Sequence, residues 1–438
     1  MTSRRAGSLA CGLTASLMAA LFLFSAQAAS QQPRAAPARA SVLGIYWPTG
    51  TGRLALLNPV TLRRDRGSSL PLAGHDALWS YSPDRSRLVL AGWQLRTLRF
   101  VEVRGMRLLG DLRLPQTSGV RSLAWVSPTR LLVTLASQDA TSLRTIVLLV
   151  DTQSRRVLRR LEIARPSWET VRTRSGLLIL LGSFGHYAAT ELARVDAEGQ
   201  LRRVKLVEIP IGTVVTSKTD HTMRTRRPGL AVDAAAGRAY VIDAGGTVGE
   251  VNLRTMRVSY RTLDLAQQRS RRATPRRLVK ATEGPERYAR WLGDGLIALS
   301  GIDSFSQRDA SGELSFSQRA AGLQVIDSRS WTATMIEPRA SGFDYGDGVL
   351  FGLGGSWESK TNTRDVVGIA AFDPNGSERY RLFADKEVSM YAAGDLGYVY
   401  RGDLPAFVIE LASGERLAAI PRKRGRPLPV PLVTQSGG

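Results

Sequence analysis

Leu78–Gly92 reads LWSYSPDRSRLVLAG: an apolar strand, a Ser-Pro-Asp turn and a second strand that stops at Gly. The layout returns at Val120–Ser137 as VRSLAWVSPTRLLVTLAS, and at Gly229–Asp243 as GLAVDAAAGRAYVID. A second half follows each time: a third strand ending in an acidic residue or Asn, a turn, and a fourth strand. Thr145–Ile163, TIVLLVDTQSRRVLRRLEI, and Gly249–Leu265, GEVNLRTMRVSYRTLDL, are examples. Self-similarity at a period of about 50 residues marks units that bury their apolar faces against one another.

Worked outward, the unit recurs about eight times. The first begins at Val42. The others span Ala77–Leu114, Val120–Ile163, Ser167–Ile209, Pro228–Leu265, Arg287–Ile336, Ser341–Ala384 and Val388–Ile420. This predicts an all-β chain: a β-propeller of four-stranded antiparallel blades, with eight blades favoured and seven as the alternative. Residues Asp151, Asp196, Asn252, Asp327, Asp373 and Glu410 end third strands. Short carboxylate and amide side chains accept backbone N–H groups two residues on, so they read as turn formers and not as a catalytic set. Unit one shows no innermost strand, and Leu428–Val433 is a spare extended segment after unit eight. Pairing the two would close the ring and remove the open sheet edges. Pro427, Pro429 and Pro431 limit that pairing, because proline cannot donate to a ladder.

The turn motifs resemble those of the YVTN, TolB-like and WD40-like bacterial propellers. YSPDRSRLVLAG (Tyr81–Gly92) is similar to their Ser-Pro-Asp turn, and GLAVDAAAGRAYVID to their Ala-Val-Asp-Pro turn. The resemblance extends over nearly all of Val42–Ile420. It implies the blade architecture and specifies neither a ligand nor a reaction.

Residues 1–28 read as a signal peptide: Arg4 and Arg5, an apolar run from Gly12 to Phe24, and Ala26-Gln27-Ala28 before the cleavage site. The run is short for a membrane span, which takes roughly 20 residues; an uncleaved N-terminal anchor is the alternative. Residues 29–41 form a flexible leader, 42–434 the propeller domain and 435–438 a tail. The protein is therefore expected to be secreted or periplasmic. Cleavage after Ala28 leaves 410 residues and removes Cys11, the sole cysteine. Disulfides, a thiolate nucleophile and Cys-ligated zinc are then excluded.

The formal charge is +22, from 60 Lys+Arg against 38 Asp+Glu, and only 6 of the 60 are lysine. So basic a chain suits an anionic partner; the Arg/Ala/Gly-rich composition also fits a GC-rich coding background. Export argues against nucleic acid.

In each blade, the first-to-second and third-to-fourth connections share one face, and the remaining connections share the other. The first set is uniformly tight. The second holds Ala136–Arg144, Gly182–Thr190, Pro210–Arg227, Ala266–Glu286, Ile302–Ala321 and Gly354–Asp365. Long loops on one side of a rigid scaffold are where binding concentrates. That side carries two basic clusters, Arg224, Arg226 and Arg227, then Arg269, Arg271, Arg272, Arg276 and Arg277. It also carries a near-duplication, SFSQR at Ser304–Arg308 and Ser315–Arg319, read as a hairpin arm with Phe305 and Phe316 paired across it. Trp357 in the neighbouring unit joins an aromatic surface or anchors the blade edge. His75, His186 and His221 fall on this side without ligand spacing, so no metal is expected. A third basic run, Arg422–Arg426, lies beyond the last unit.

No nucleophile elbow, P-loop, HExxH or calcium loop is present, and no cofactor is expected. The expectation is a monomeric, exported binding or scaffold protein that takes a protein or an anionic envelope polymer on its long-loop face. The alternatives are a propeller enzyme of lyase, lactonase or hydrolase type, acting on a small or sugar-like substrate near the central channel, and a purely structural module. If the basic loop is exposed, neutralising Arg269, Arg271, Arg272, Arg276 and Arg277 together leaves the melting temperature within about 2 °C of wild type; a cooperative loss of the fold in circular dichroism would place the loop elsewhere.

Overall fold

The computed structural model describes residues 41–48, 51–74, 78–92, 96–115, 119–139, 142–173, 176–215, 223–263, 284–308, 314–359, 361–402, 404–421 and 428–432. The strands form an all-β propeller of mainly four-stranded antiparallel blades, grouped in eight sheets. Blade two is typical: Leu78–Tyr81, Arg87–Ala91, Thr97–Glu102 and Arg107–Arg113 pair in sequence order. Its second strand is buried almost throughout, because a middle strand is covered on both faces by neighbouring blades. Its fourth strand is buried only in part, because it forms the outer rim.

Eight apolar clusters fill the eight junctions between successive sheets, the last joining blade eight to blade one. Aromatic residues with a polar tip reinforce these junctions. Fully buried Trp125 in blade three donates its indole N–H to the Ser80 carbonyl of blade two at 3.0 Å. Tyr398 in blade eight donates to the Pro59 carbonyl of blade one at 2.9 Å. Tyr345 in blade seven donates to the Leu292 carbonyl of blade six at 3.2 Å. Each contact buries a large ring while satisfying its single polar group.

The ring closes as the spare segment predicts. Val430–Pro431 is the innermost strand of blade one, with Gly44 opposite Pro431 and Ile45 opposite Val430. The prolines do not block it, since the Leu432 amide donates to the Leu43 carbonyl at 2.7 Å. The proline carbonyls still accept, and Tyr400 donates to the Pro429 carbonyl at 3.2 Å. Tyr81 of blade two donates to the Leu432 carbonyl at 3.1 Å. Gly44 is required by the close approach: a Cβ there would lie 2.2 Å from Leu57 Cδ1. The outer strand of blade one is Arg64–Pro71. An outer strand faces solvent, so its polar start carries no apolar signal.

Four of the turn formers accept backbone amides as read, while the Asp373 side chain accepts from Arg379 and that of Glu410 from the Ser413 hydroxyl. Asp151 Oδ1 accepts from the Gln153 and Ser154 amides at 3.1 and 2.6 Å, and Asn252 Oδ1 from Arg254 and Thr255, both at 3.0 Å. Asp196 and Asp327 cap their turns in the same way. In the Gly-Asp-Gly turns, Asp294 and Asp347 adopt φ of 50° and 49° before glycines at 84° and 70°, the geometry that tight two-residue hairpins demand.

Leu432 is fully enclosed by the junction between blades one and two. Leu432→Ala is expected to cost about 2–4 kcal/mol, read as a lower urea midpoint with an unchanged slope; a loss below about 1 kcal/mol would mean the closure segment contributes little.

Candidate functional site

Four antiparallel strands return the chain to the side from which it started, so every blade-to-blade link lies on the same face as the second-to-third loops. The parallel bridge between Arg227 and Glu286, on the entries to the innermost strands of blades five and six, agrees with that arrangement. The elaborations all rise on this long-loop face.

The arm of blade six is a hairpin. Leu296–Arg308 runs past its blade, and its far half pairs with Leu314–Ala320, Ile302 opposite Ala320 through Arg308 opposite Leu314. Blade seven inserts a second hairpin, Gly355–Glu358 with Thr363–Val366. The two merge edge to edge, with Ser317 opposite Glu358 and Gln318 opposite Trp357. Serines lock the seam: Ser359 Oγ accepts the Phe316 amide at 2.7 Å, and Ser356 Oγ the Ala320 amide at 3.0 Å. Trp357 is thus a strand residue in the seam between two blades. The register corrects the aromatic pairing across the arm: Phe305 lies opposite Ser317 and Phe316 opposite Ser306. The two are offset by one position, because the repeat read from SFSQR is not the pairing register. Phe316 is 46 % exposed.

Blade four builds a shoulder on the same face. Its outer strand, Leu201–Val215, outruns the blade and pairs with Met223–Arg226. The 183–187 loop is pinned onto it: the Gly185 amide donates to Thr213 O at 2.8 Å and the Thr213 amide to Ser183 O at 3.3 Å. The Tyr187 hydroxyl reaches the Arg224 carbonyl at 3.3 Å. Gly212 makes this possible. Its φ is +149°, and a Cβ would sit 2.4 Å from the His186 carbonyl. Phe184, 53 % exposed, and Tyr187, 40 % exposed, crown the shoulder with His186 between them.

Two members of the first basic cluster, Arg226 and Arg227, fold into structural pairs. Arg226 makes a bidentate contact with Asp243, at 3.2 and 2.6 Å. Arg227 bonds Glu169 at 2.9 Å and lies over the Tyr288 ring, 4.8 Å from its centroid. Both charges are therefore balanced locally, unlike in a free anion patch. Arg165, on the link from blade three to four, and Arg339, on the link from six to seven, are likewise tied, to Glu191 and to Glu337, Asp365 and Asp385. Arg269, Arg271, Arg272, Arg276 and Arg277, with His75, His221 and the 422–426 run, lie outside the described residues.

Arg227 sits at the centre of a group that the sequence reading missed. Glu169 comes from the innermost strand of blade four, Ser167–Thr173. Glu286 and Tyr288 come from that of blade six, Gly284–Gly293. Burial pushes the Glu169 and Glu286 carboxyls above their ordinary range, against the opposing pull of Arg227. Burial, then the charge of Glu286, raises the Tyr288 hydroxyl. Among the described residues, Glu286 has a single side-chain hydrogen bond, from the Tyr288 hydroxyl at 3.5 Å. Among the described residues, Arg227 Nε and Trp168 Nε1 are buried and find no hydrogen-bond partner. Two carboxyls against one guanidinium make this the acidic spot of a basic face. Its trace in the sequence is charge inside a first strand, as in Glu286-Arg287-Tyr288, a mark it shares with Arg121 of blade three and Asp344 of blade seven and that does not single it out.

Farther along the innermost strands, Arg290 faces Asp344 at 3.5 Å, and Asp344 accepts the Ala392 amide at 2.7 Å. Burial raises the Asp344 carboxyl. Tyr391 shares a hydroxyl contact with Tyr400 at 2.9 Å, and burial pushes Tyr400 up to about 12. Among the described residues no group of three or more His, Cys, Asp and Glu is placed to hold a metal ion, and no helix is long and apolar enough to cross a membrane.

No family model matches the chain, and no curated protein matches it in sequence. Among solved structures it is similar to the dihydro-heme d1 dehydrogenase NirN in complex with DHE, at 11% identity and a TM-score of 0.55, over 91% of this chain and 77% of that one. It is also similar to apo AztD from Citrobacter koseri, at 9% identity and a TM-score of 0.48, over 91% and 98% of the two chains. BamB from Moraxella catarrhalis gives 10% and 0.45, over 78% and 88%. At such identities the likeness is one of fold: the chain is built as a β-propeller.

An acid whose folded value is raised binds protons more readily in the native state, so the stability tied to it is fully present below its unfolded value of 4.5 and is lost as pH climbs through the raised range. Glu286→Gln removes that loss. The variant should match wild type in melting temperature at pH 4 and exceed it at pH 7; a gap that shrinks with rising pH would contradict the cause assigned to Glu286.

Proposed function

We propose that the chain is an exported, monomeric binding propeller of the YVTN/TolB-like kind that takes a protein or an anionic envelope polymer on its long-loop face. One observation carries this reading. Insertions from blades six and seven join as a single hydrogen-bonded sheet on that face, while the opposite face keeps tight turns. A wall held by backbone pairing needs little ordering when a partner docks, which lowers the cost of association. Exposed Phe316 stands on that wall as an aromatic anchor of the type that dominates interface energies. The pairing of Arg226 and Arg227 shifts any long-range attraction for anions to the other basic segments of the chain.

A second reading, an enzyme acting on a small or sugar-like substrate near the channel, is favoured by the raised carboxyls of Glu169 and Glu286 beside Arg227, since perturbed carboxyls on a ring axis suit acid–base work. The pairing of Glu169 with Arg227 equally suits a structural strut, and the binding reading stands first.

The test is recovery from envelope extract with wild type, Phe316→Asp and the five-arginine variant as baits, at low and moderate salt. The expected result is a partner retained by wild type and lost by Phe316→Asp at unchanged melting temperature, with recovery falling as salt rises if charge contributes. Equal recovery on all three baits would sink the docking role of this face.

A further inference from the structure

The shoulder of blade four and the acidic spot on the innermost strands are contiguous. Tyr187 is bonded to Arg224, three residues before Arg227, and Arg165 Nε bonds the Gly182 carbonyl at 2.9 Å, tying the base of the 183–187 loop to the strand that carries Glu169. An exposed aromatic edge thus leads directly to half-buried polar groups. We propose that this edge and spot form a binding site for a neutral oligosaccharide, with sugar ring faces resting on Phe184 and Tyr187 and hydroxyls engaging Glu286 and Tyr288.

The chemistry selects the ligand class. Pyranose rings present flat C–H faces, which suit exposed aromatic rings, and hydroxyls that both donate and accept. Glu286 has acceptor capacity beyond its single 3.5 Å contact. Glu169 and Arg227 form a neutral pair, which holds the neighbouring groups in place without attracting charge. An acidic glycan would meet two carboxyls and one guanidinium, already spent. The edge is rigid before binding, because the loop is fastened through Gly185, Thr213 and Tyr187. The site takes its location from the second reading above but requires no catalysis; Phe316 is not among its residues, although Glu286 pairs with Ile302 on the strand that continues into the arm.

Isothermal titration calorimetry with cellohexaose, maltohexaose and hexa-N-acetylchitohexaose, and with hexagalacturonate as the acidic counterpart, tests it. At least one neutral hexamer is expected to bind with a submillimolar Kd. Phe184→Ala and Tyr187→Ala should each weaken it about tenfold, and Glu286→Gln about fivefold. Tyr187→Phe keeps the ring while losing the bond to Arg224, so it should retain most of the affinity; it serves as the check should Tyr187→Ala disturb the fold. Phe316→Asp should bind the sugar as wild type does, which separates this site from partner docking. Absence of binding by all three neutral hexamers, indifference to the substitutions, or preference for hexagalacturonate would each overturn the proposal.

Discussion

Ring closure is the constraint on which the remaining structure depends. Each sheet is covered on both faces only because its neighbours stand beside it, and the junction between blades eight and one is as apolar as the others. Without Val430–Pro431 along Val42–Tyr46, blade one would present an open inner edge, and Leu43, Ile45 and Leu54 would lose Leu432 from the cluster they share with blade two. The closing strand is short and proline-flanked, so it contributes few ladder bonds. It compensates with carbonyls: Pro429 and Leu432 accept from Tyr400 and Tyr81 on the blades to either side. A strand that cannot donate well is thereby held by what it accepts.

A closed ring holds its inner strands in a fixed relation, and this lets residues from separate blades act as a unit. Glu169, Arg227, Glu286 and Tyr288 come from three successive blades, and no flexible segment is needed to bring them together. The arginines show the same logic. In composition they read as surplus positive charge, yet Arg165, Arg226, Arg227, Arg287 and Arg339 each bond a carboxylate on or near a blade link. Half-buried pairs of this kind fix geometry more than they add stability. The formal charge therefore overstates what a partner meets on the blade-four shoulder.

The repeat, the turns and the closure were legible because they depend on local chemistry: alternating apolar runs, Asp at turn starts, and an unpaired inner position in unit one. The arm was legible as a hairpin for the same reason. Its register was not, since matching SFSQR to SFSQR pairs Phe with Phe, whereas the ladder sets Phe316 opposite Ser306. The merger of the arm with the blade-seven hairpin leaves no mark in the sequence, because Gln318 and Trp357 meet through backbone groups that every residue possesses. Asp243 and Glu169 were invisible as arginine partners for a similar reason. Asp243 reads as a turn residue and does accept the Gly245 amide, while its pairing with Arg226 arises only through space.

The blade-one seam also imposes an order of events. Ile45 and Val430 are neighbours in the sheet but 385 positions apart in the chain. The four-stranded pairings of blades two to eight each lie within one continuous stretch of chain and are available as soon as that stretch has been synthesised. The first blade to be made is the last that can be finished. Contacts of such sequence separation form late, because the loop entropy must be overcome before any contact rewards it. Until residue 432 arrives, the chain is a string of paired blades without a ring, and so without the fixed axis on which its polar cluster is gathered.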